Sequence, residues 1–314
     1  MKLSRRGFLR VAGLTGTTAL GLGASQARAS SSHRSPLSTK GENECAMLVD
    51  TTLCAGCRAC ESACAEANAL PEPSADAMVA GVARDTAPEV FTVVNGAGPI
   101  GHDAEERFAK KQCMHCIEPA CASVCMVRAL DKTPEGPVVY HGDRCLGCRY
   151  CMVACPFEIP KYQYDKLAPL VRKCTFCAAR QAGGKKPACA SVCPTGALSF
   201  GKRGPLLELA KGRIYRSPEK YVHHVYGEQE AGGTDWLYIS DVPFEKLALR
   251  TVRNEPYPDK VQGALSAPPF VMTLWPPLLM GLYAFAKRRG EVEHKNGNGD
   301  GHGGAAASTE DRHV

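Results

Sequence analysis

Seventeen cysteines in 314 residues are the part of this sequence equipped for chemistry. Sixteen of them fall into four runs of four. The first is Cys54, Cys57, Cys60 and Cys64, a C-x2-C-x2-C-x3-C pattern. The second is Cys113, Cys116, Cys121 and Cys125. The third, Cys145, Cys148, Cys151 and Cys155, repeats the first pattern and is followed by Pro156. The fourth is Cys174, Cys177, Cys189 and Cys193, followed by Pro194. Disulfides suit exported proteins, but three cysteines at steps of three are poorly placed to tie distant segments together. Zinc takes pairs of C-x2-C separated by longer gaps, and runs one and three have no such gap. A cubane cluster needs ligands converging from a tight loop; C-x2-C-x2-C wraps backbone around three corners, and the fourth cysteine serves the other cluster of a pair. Cys60/Cys64, Cys121/Cys125, Cys151/Cys155 and Cys189/Cys193 are each four apart. On a helix such a pair shares one face, one turn apart, so one helix can give a ligand to each of two clusters. The expectation is four [4Fe–4S] clusters on sixteen cysteines, and electron transfer as their use.

The elements that must position these runs are short and repeated. Pro119-Ala-Cys-Ala-Ser-Val-Cys125 recurs letter for letter at Pro187 to Cys193, and runs one and three share Cys-x-Gly-Cys-Arg-x-Cys. The order is A–B–A–B, two halves arising by duplication. Strands are expected at Ala46–Asp50, Val138–Tyr140, Leu198–Phe200 and Leu237–Ile239, alternating with short helices that carry the C-x3-C pairs. The fold class is α+β, a duplicated bacterial ferredoxin-like domain with a C-terminal transmembrane helix. The halves differ by an insertion: 48 residues separate Cys64 from Cys113 and 18 separate Cys155 from Cys174. Rich in Ala, Pro and Gly, the insert reads as a surface excursion. Cys45, the seventeenth cysteine, reads as a buried structural thiol. His102, His141, His223 and His224 have no ligand spacing, and His115 reads as tuning a neighbouring cluster. No paired carboxylates, nucleophile elbow or phosphate loop occurs, so no catalytic residue is assigned.

The two ends carry address signals. Ser4-Arg5-Arg6-Gly7-Phe8-Leu9 precedes an uncharged stretch, Val11 to Gln26, that leads to Ala27-Arg28-Ala29. This resembles a twin-arginine (Tat) signal peptide, which predicts export of the folded, metal-loaded chain by the Tat machinery. Near the other end no charge occurs between Lys260 and Lys287, and Lys287-Arg288-Arg289 follow. About 20 apolar residues span a bilayer, with the basic end cytoplasmic. The expected organisation is a signal peptide over 1–29, a linker over 30–44 and a four-cluster domain over 45–205 with the insertion at 65–112. A C-terminal extension over 206–262, a transmembrane helix over 264–286 and a disordered cytoplasmic tail over 287–314 follow. The location this predicts is the periplasmic face of the inner membrane.

Composition agrees with a cluster-stabilised chain. Aromatic residues make up only 7%, against 31 Gly and 22 Pro. The formal charge of +6 is mostly the signal: beyond residue 29 there are 33 basic and 32 acidic residues. That balance gives no support for a nucleic-acid partner.

From Cys45 to about Phe200 the chain resembles the four-cluster, ferredoxin-like subunits of membrane-bound respiratory oxidoreductases. In that family run one pairs with run four and run two with run three. The resemblance implies one cluster on Cys54, Cys57, Cys60 and Cys193, and a second on Cys174, Cys177, Cys189 and Cys64. It implies a third on Cys113, Cys116, Cys121 and Cys155, and a fourth on Cys145, Cys148, Cys151 and Cys125. Lys110-Lys-Gln-Cys-Met-His-Cys116, Cys148-Arg-Tyr-Cys-Met-Val-Ala-Cys-Pro156, Tyr226-Gly-Glu-Gln-Glu-Ala-Gly-Gly-Thr234 and Val242-Pro-Phe-Glu-Lys-Leu247 resemble the hydrogenase-associated HybA branch more closely. That implies partners in the small and large subunits of a [NiFe] hydrogenase and in a multi-span, quinone-reactive membrane subunit. Alternatives are the same role beside a formate dehydrogenase or another molybdenum or tungsten enzyme, and a zinc-bearing structural or assembly module. Met126 departs from the family, which has Pro after the second run.

Overall fold

The computed structural model describes residues 41–74, 82–100 and 105–297. The expected signal peptide, most of the expected linker and the last part of the expected tail lie outside the described residues.

A three-stranded sheet organises the cysteine runs. Strand β1 (Cys45–Asp50) lies between β8 (Leu198–Lys202), to which it is antiparallel, and β9 (Trp236–Ile239), to which it is parallel. Side chains alternate across a strand, and here both faces are covered. Ala46, Leu48, Leu237 and Ile239 meet Leu206, Leu207 and Ala210 of a covering helix, Arg203–Arg216. Met47, Val49, Trp236 and Tyr238 face the other way, into a core shared with Cys64, Cys113, Cys174 and Cys189. The sheet is therefore the wall between an ordinary apolar layer and the cysteine layer. All four expected strands are present, each within two residues of its expected limits.

The runs ride on very short helices: α1 (Ala59–Ala67), α2 (Ala120–Ser123), α3 (Tyr150–Ala154), α4 (Ala178–Ala182) and α5 (Ala188–Ser191), with the covering helix as α6. Only α1 contains both cysteines of its C-x3-C pair. The other pairs begin on a single turn and end beyond it. Pro156 and Pro194 disfavour helix at the cysteine before them, and the Ser123 and Ser191 hydroxyls donate to Ala120 O and Pro187 O, drawing off backbone acceptors. The identical heptapeptides give matching turns with Pro119 and Pro187 at the N-caps.

Two expectations are corrected, and a third goes unsupported. The insertion is not a surface excursion. Its second half forms a hairpin of β2 (Val93–Pro99) and β3 (Glu106–Lys111), with Phe91, Val93, Val94 and Ala109 buried. Glu61 of α1 clamps it: the carboxylate accepts from Val94 N at 2.5 Å and pairs with Arg84 at 2.6 Å and Arg58 at 3.0 Å. The extension after 205 is likewise part of the domain, since it supplies most of α6 and all of β9. Finally, a long helix α7 (Pro258–Gly297) covers the expected span, but among the described residues no helix is long and apolar enough to cross a membrane. Side chains 262–270 of that helix lie outside the described residues. Two remaining hairpins, β4 (Leu130–Lys132) with β5 (Val138–Tyr140) and β6 (Lys161–Tyr162) with β7 (Val171–Arg172), flank the third run.

Candidate metal centres

The loops of runs one and three show why Cys-x-Gly-Cys-Arg-x-Cys recurs. Gly56 (φ +66°) and Gly147 (φ +70°) take the left-handed conformation, and so do Arg58 (φ +59°) and Arg149 (φ +60°), two residues later. Two left-handed residues in one short loop turn successive thiols toward the same side. The glycines are required for space as well: a Cβ on Gly56 would meet the Phe108 ring at 2.6 Å, and one on Gly147 the Tyr162 hydroxyl at 2.9 Å. Arg58 and Arg149 then cap α1 and α3, delivering Cys60 and Cys151 on the first turn.

All seventeen cysteines are free thiols. Among the described residues no three His, Cys, Asp or Glu side chains meet closely enough to hold a lone metal ion, so the thiols group by neighbourhood and not by convergence on a point. Burial raises most of them, to about 12 for Cys60 and about 11 for Cys64, Cys151 and Cys155. Neighbouring thiolates raise them further, because like charges disfavour one another's ionised form, and these influences reveal the grouping. Cys54 feels Cys193 and Cys57. Cys64 feels Cys189 and Cys177, and Cys174 feels Cys64. Cys116 and Cys121 both feel Cys155 and Cys113. Cys151 feels Cys145, Cys148 and Cys125. The structure thus brings run one toward the last cysteine of run four, and run three toward the last cysteine of run two.

Three further influences cross between groups. Cys60 feels Cys189, Cys174 feels Cys113, and Cys121 feels Cys151. The four groups therefore follow one another in a line. At its two ends lie Cys57 and Cys148, the exposed thiols among the sixteen.

The surroundings fit thiolate-bound clusters. Backbone N–H groups of Gly147, Phe176 and Ala129 donate to the sulfurs of Cys145, Cys174 and Cys125 at 3.4, 3.4 and 3.1 Å, and Asn68 Nδ2 to Cys64 at 3.6 Å. His115 is fully buried and stacks on Phe176 at 5.0 Å. Burial, helped by Lys173 and Lys132 and opposed by the Cys174 carbonyl, keeps it well below the usual histidine range. Its Nδ1 accepts from Val138 N at 2.9 Å, so the neutral ring carries its proton on Nε2, and the Cys174 carbonyl acts on the ring as an acceptor. Three lysines, Lys110, Lys132 and Lys173, also lie among the thiols and lower their pKa values. Sequence reasoning missed all three. The available signal was a lysine just ahead of runs two and four, in Lys110-Lys-Gln-Cys113 and Lys173-Cys174. Cys45 lies 3.8 Å from Lys202 Nζ, apart from every group.

Comparison with known proteins agrees with this chemistry. A family model described as a 4Fe–4S dicluster domain matches residues 104–203, which hold runs two to four. The hydrogenase-2 operon protein HybA of Escherichia coli O157:H7 is 34% identical over 338 residues, covering 95% of this chain and 99% of that protein. The chain belongs to the HybA family. A protein of Nitratidesulfovibrio vulgaris (strain Hildenborough) is 45% identical over 295 residues, 92% of this chain and 79% of its own. The iron–sulfur subunit of the nitrate-inducible formate dehydrogenase of Escherichia coli K12 is 34% identical over 201 residues, 62% of this chain and 68% of its own. The cofactor of this HybA-family chain is the [4Fe–4S] cluster, and sixteen grouped cysteines fit four of them.

Proposed function

We propose that this chain relays electrons between a [NiFe] hydrogenase and a quinone-linked integral membrane subunit, at the periplasmic face of the inner membrane. The residues that would hold the clusters are Cys54, Cys57, Cys60 and Cys193; Cys64, Cys174, Cys177 and Cys189; Cys113, Cys116, Cys121 and Cys155; and Cys125, Cys145, Cys148 and Cys151. When bound, a [4Fe–4S] cluster takes up and gives up one electron at a time, at a potential set by charge, hydrogen bonding and exposure. The protein's part is to fix the spacing and to set that environment. The β8–β1–β9 wall holds the middle groups, and the N–H groups of Gly147, Phe176 and Ala129 stabilise charge on sulfur.

One observation carries the reading: the four groups are linked in single file, with an exposed thiol at either end. A conduit between two partners needs a buried middle and two accessible ends. The HybA relatives, which the chain matches almost end to end, favour hydrogenase as one partner, and the Arg5-Arg6 signal favours periplasmic placement. Formate dehydrogenase is the second reading, supported by the shorter match to its iron–sulfur subunit. Anaerobic affinity purification from detergent-solubilised membranes, with mass spectrometry of the co-purifying chains, separates them. A nickel-containing large subunit is the expected partner; a pterin-dependent one overturns the hydrogenase assignment.

A further inference from the structure

Lys110, near the end of β3, is a buried cation with no carboxylate to answer it. It is 2% exposed. Its Nζ donates to Gln112 Oε1 at 3.1 Å and to Thr92 Oγ1, and lies 4.8 Å from the centre of the Trp236 ring. All three contacts are neutral, and among the described residues no acidic side chain pairs with it. The other two lysines differ. Lys132 is answered by Glu44 at 2.7 Å, beside the Asp235 carboxyl at 2.6 Å, and Lys173 donates to the carbonyls of Val138 and Cys174 at 2.5 and 3.1 Å. Lys110 instead sits over Trp236, which packs in one core with Cys64, Cys174, Cys189 and Cys60. Cys189, Cys60, Cys174 and Cys64 hold its proton against the effect of burial, and it acts in return on Cys54. Those five cysteines belong to two groups only, the first and second in the line. An unpaired charge buried this deeply costs several kcal/mol, so its partner must be the negative charge of those two groups.

We propose that Lys110 is a tuning residue that raises the reduction potentials of the first and second sites together. Reduction adds one negative charge, and a fixed positive charge shielded from water stabilises that state more strongly than it would at the surface. One cation between two sites acts on both, which keeps their potentials close and the step between them nearly level. The inference rests on the proposal that both sites are loaded.

The test is a potentiometric titration, followed by electron paramagnetic resonance, of the full chain purified anaerobically with its clusters. In Lys110→Met, with iron content unchanged, the reduced-to-oxidised ratio of two sites at fixed poise should fall at least tenfold. For a one-electron couple that is about 59 mV. The other two sites should stay where they are, and Lys110→Arg should restore the pair. A fully loaded Lys110→Met protein with four unchanged potentials, or with all four shifted alike, overturns the proposal. If Lys110→Met fails to load, Gln112→Glu decides. It sets a carboxylate against Nζ and should lower the same two potentials; loaded protein without that shift overturns the proposal. Wild-type protein lacking iron would instead defeat the underlying functional reading.

Discussion

Cys189 and Cys193 are four residues apart, yet they belong to different neighbourhoods. Cys193 acts on Cys54, while Cys189 acts on Cys60 and Cys64 and feels Cys177. The separation follows from α5 ending at Ser191, so that Cys193 leaves the helix before Pro194. Cys193→Ala should therefore remove one sulfur from the group of Cys54, Cys57 and Cys60, and none from that of Cys64, Cys174, Cys177 and Cys189. Four cubanes carry about sixteen irons. Loss of one corner leaves about fifteen, and loss of the whole group about twelve. Cys193 is only partly buried, so the truncation opens no core cavity, and any loss of stability must come through the metal. The assay is iron and sulfide analysis with paramagnetic resonance of the reduced protein, beside Cys57→Ala and Cys177→Ala as references. The spectrum of Cys193→Ala should lack the same signal as Cys57→Ala. If it matches Cys177→Ala instead, the neighbourhood argument and the pairing built on it are wrong.

Three further outcomes follow from buried polar groups. Glu61→Ala removes the buried carboxylate shared by Arg84, Arg58 and the Val94 N–H and should lower the anaerobic unfolding free energy in urea by about 3–5 kcal/mol. His115→Phe keeps a ring against Phe176 but strands the Val138 N–H; about 1–3 kcal/mol should be lost in the same urea assay. Asp235, fully buried, has its carboxyl pushed up to about 8 by burial, against the pull of Lys132. Its folded-state affinity for a proton exceeds the unfolded one, so the stability it contributes is complete below about pH 4 and is lost as pH rises through about 8. Wild-type protein should therefore weaken between those limits relative to Asp235→Asn, and parallel thermal melts of the two proteins at a series of pH values test this.

The four cysteine runs and the sheet were legible because both depend on local pattern. A C-x2-C-x2-C loop announces its chemistry by spacing alone, and Ala46–Asp50 or Leu237–Ile239 announce strands by short apolar runs between turns. The β2–β3 hairpin was not legible. Val93-Val-Asn-Gly-Ala-Gly-Pro99 and Glu106-Arg-Phe-Ala-Lys-Lys111 carry the glycines and charges of a surface loop. They are buried because Glu61, thirty-three positions before Val94, and Asp241, far downstream, supply partners: Arg107 Nε donates to Asp241 at 2.8 Å. Charge compensation across the chain leaves no periodic trace. The same holds for Lys110, whose counter-charge belongs to four cysteines from two distant runs.

The residues after 205 show how so few aromatics suffice. Phe176 stacks on His115 and lies 5.6 Å from Trp236 and 6.1 Å from Phe200. Tyr238 donates to Lys110 O at 2.9 Å and accepts from Gln112 Nε2 at 2.6 Å. These rings stand where the second group meets the third, so β9 braces the middle of the line of sites. A chain truncated after residue 205 would lose Trp236, Leu237, Tyr238 and Ile239, all fully buried. At about 1.5–3 kcal/mol for each such side chain, the loss is about 6–12 kcal/mol, comparable with the whole stability of a domain. The truncated chain should therefore fail to hold iron at the second and third sites, although every one of the sixteen cysteines remains. Recovery of about sixteen irons from it would show that the cysteine runs fold around their clusters unaided, and that the wall behind them serves some other purpose.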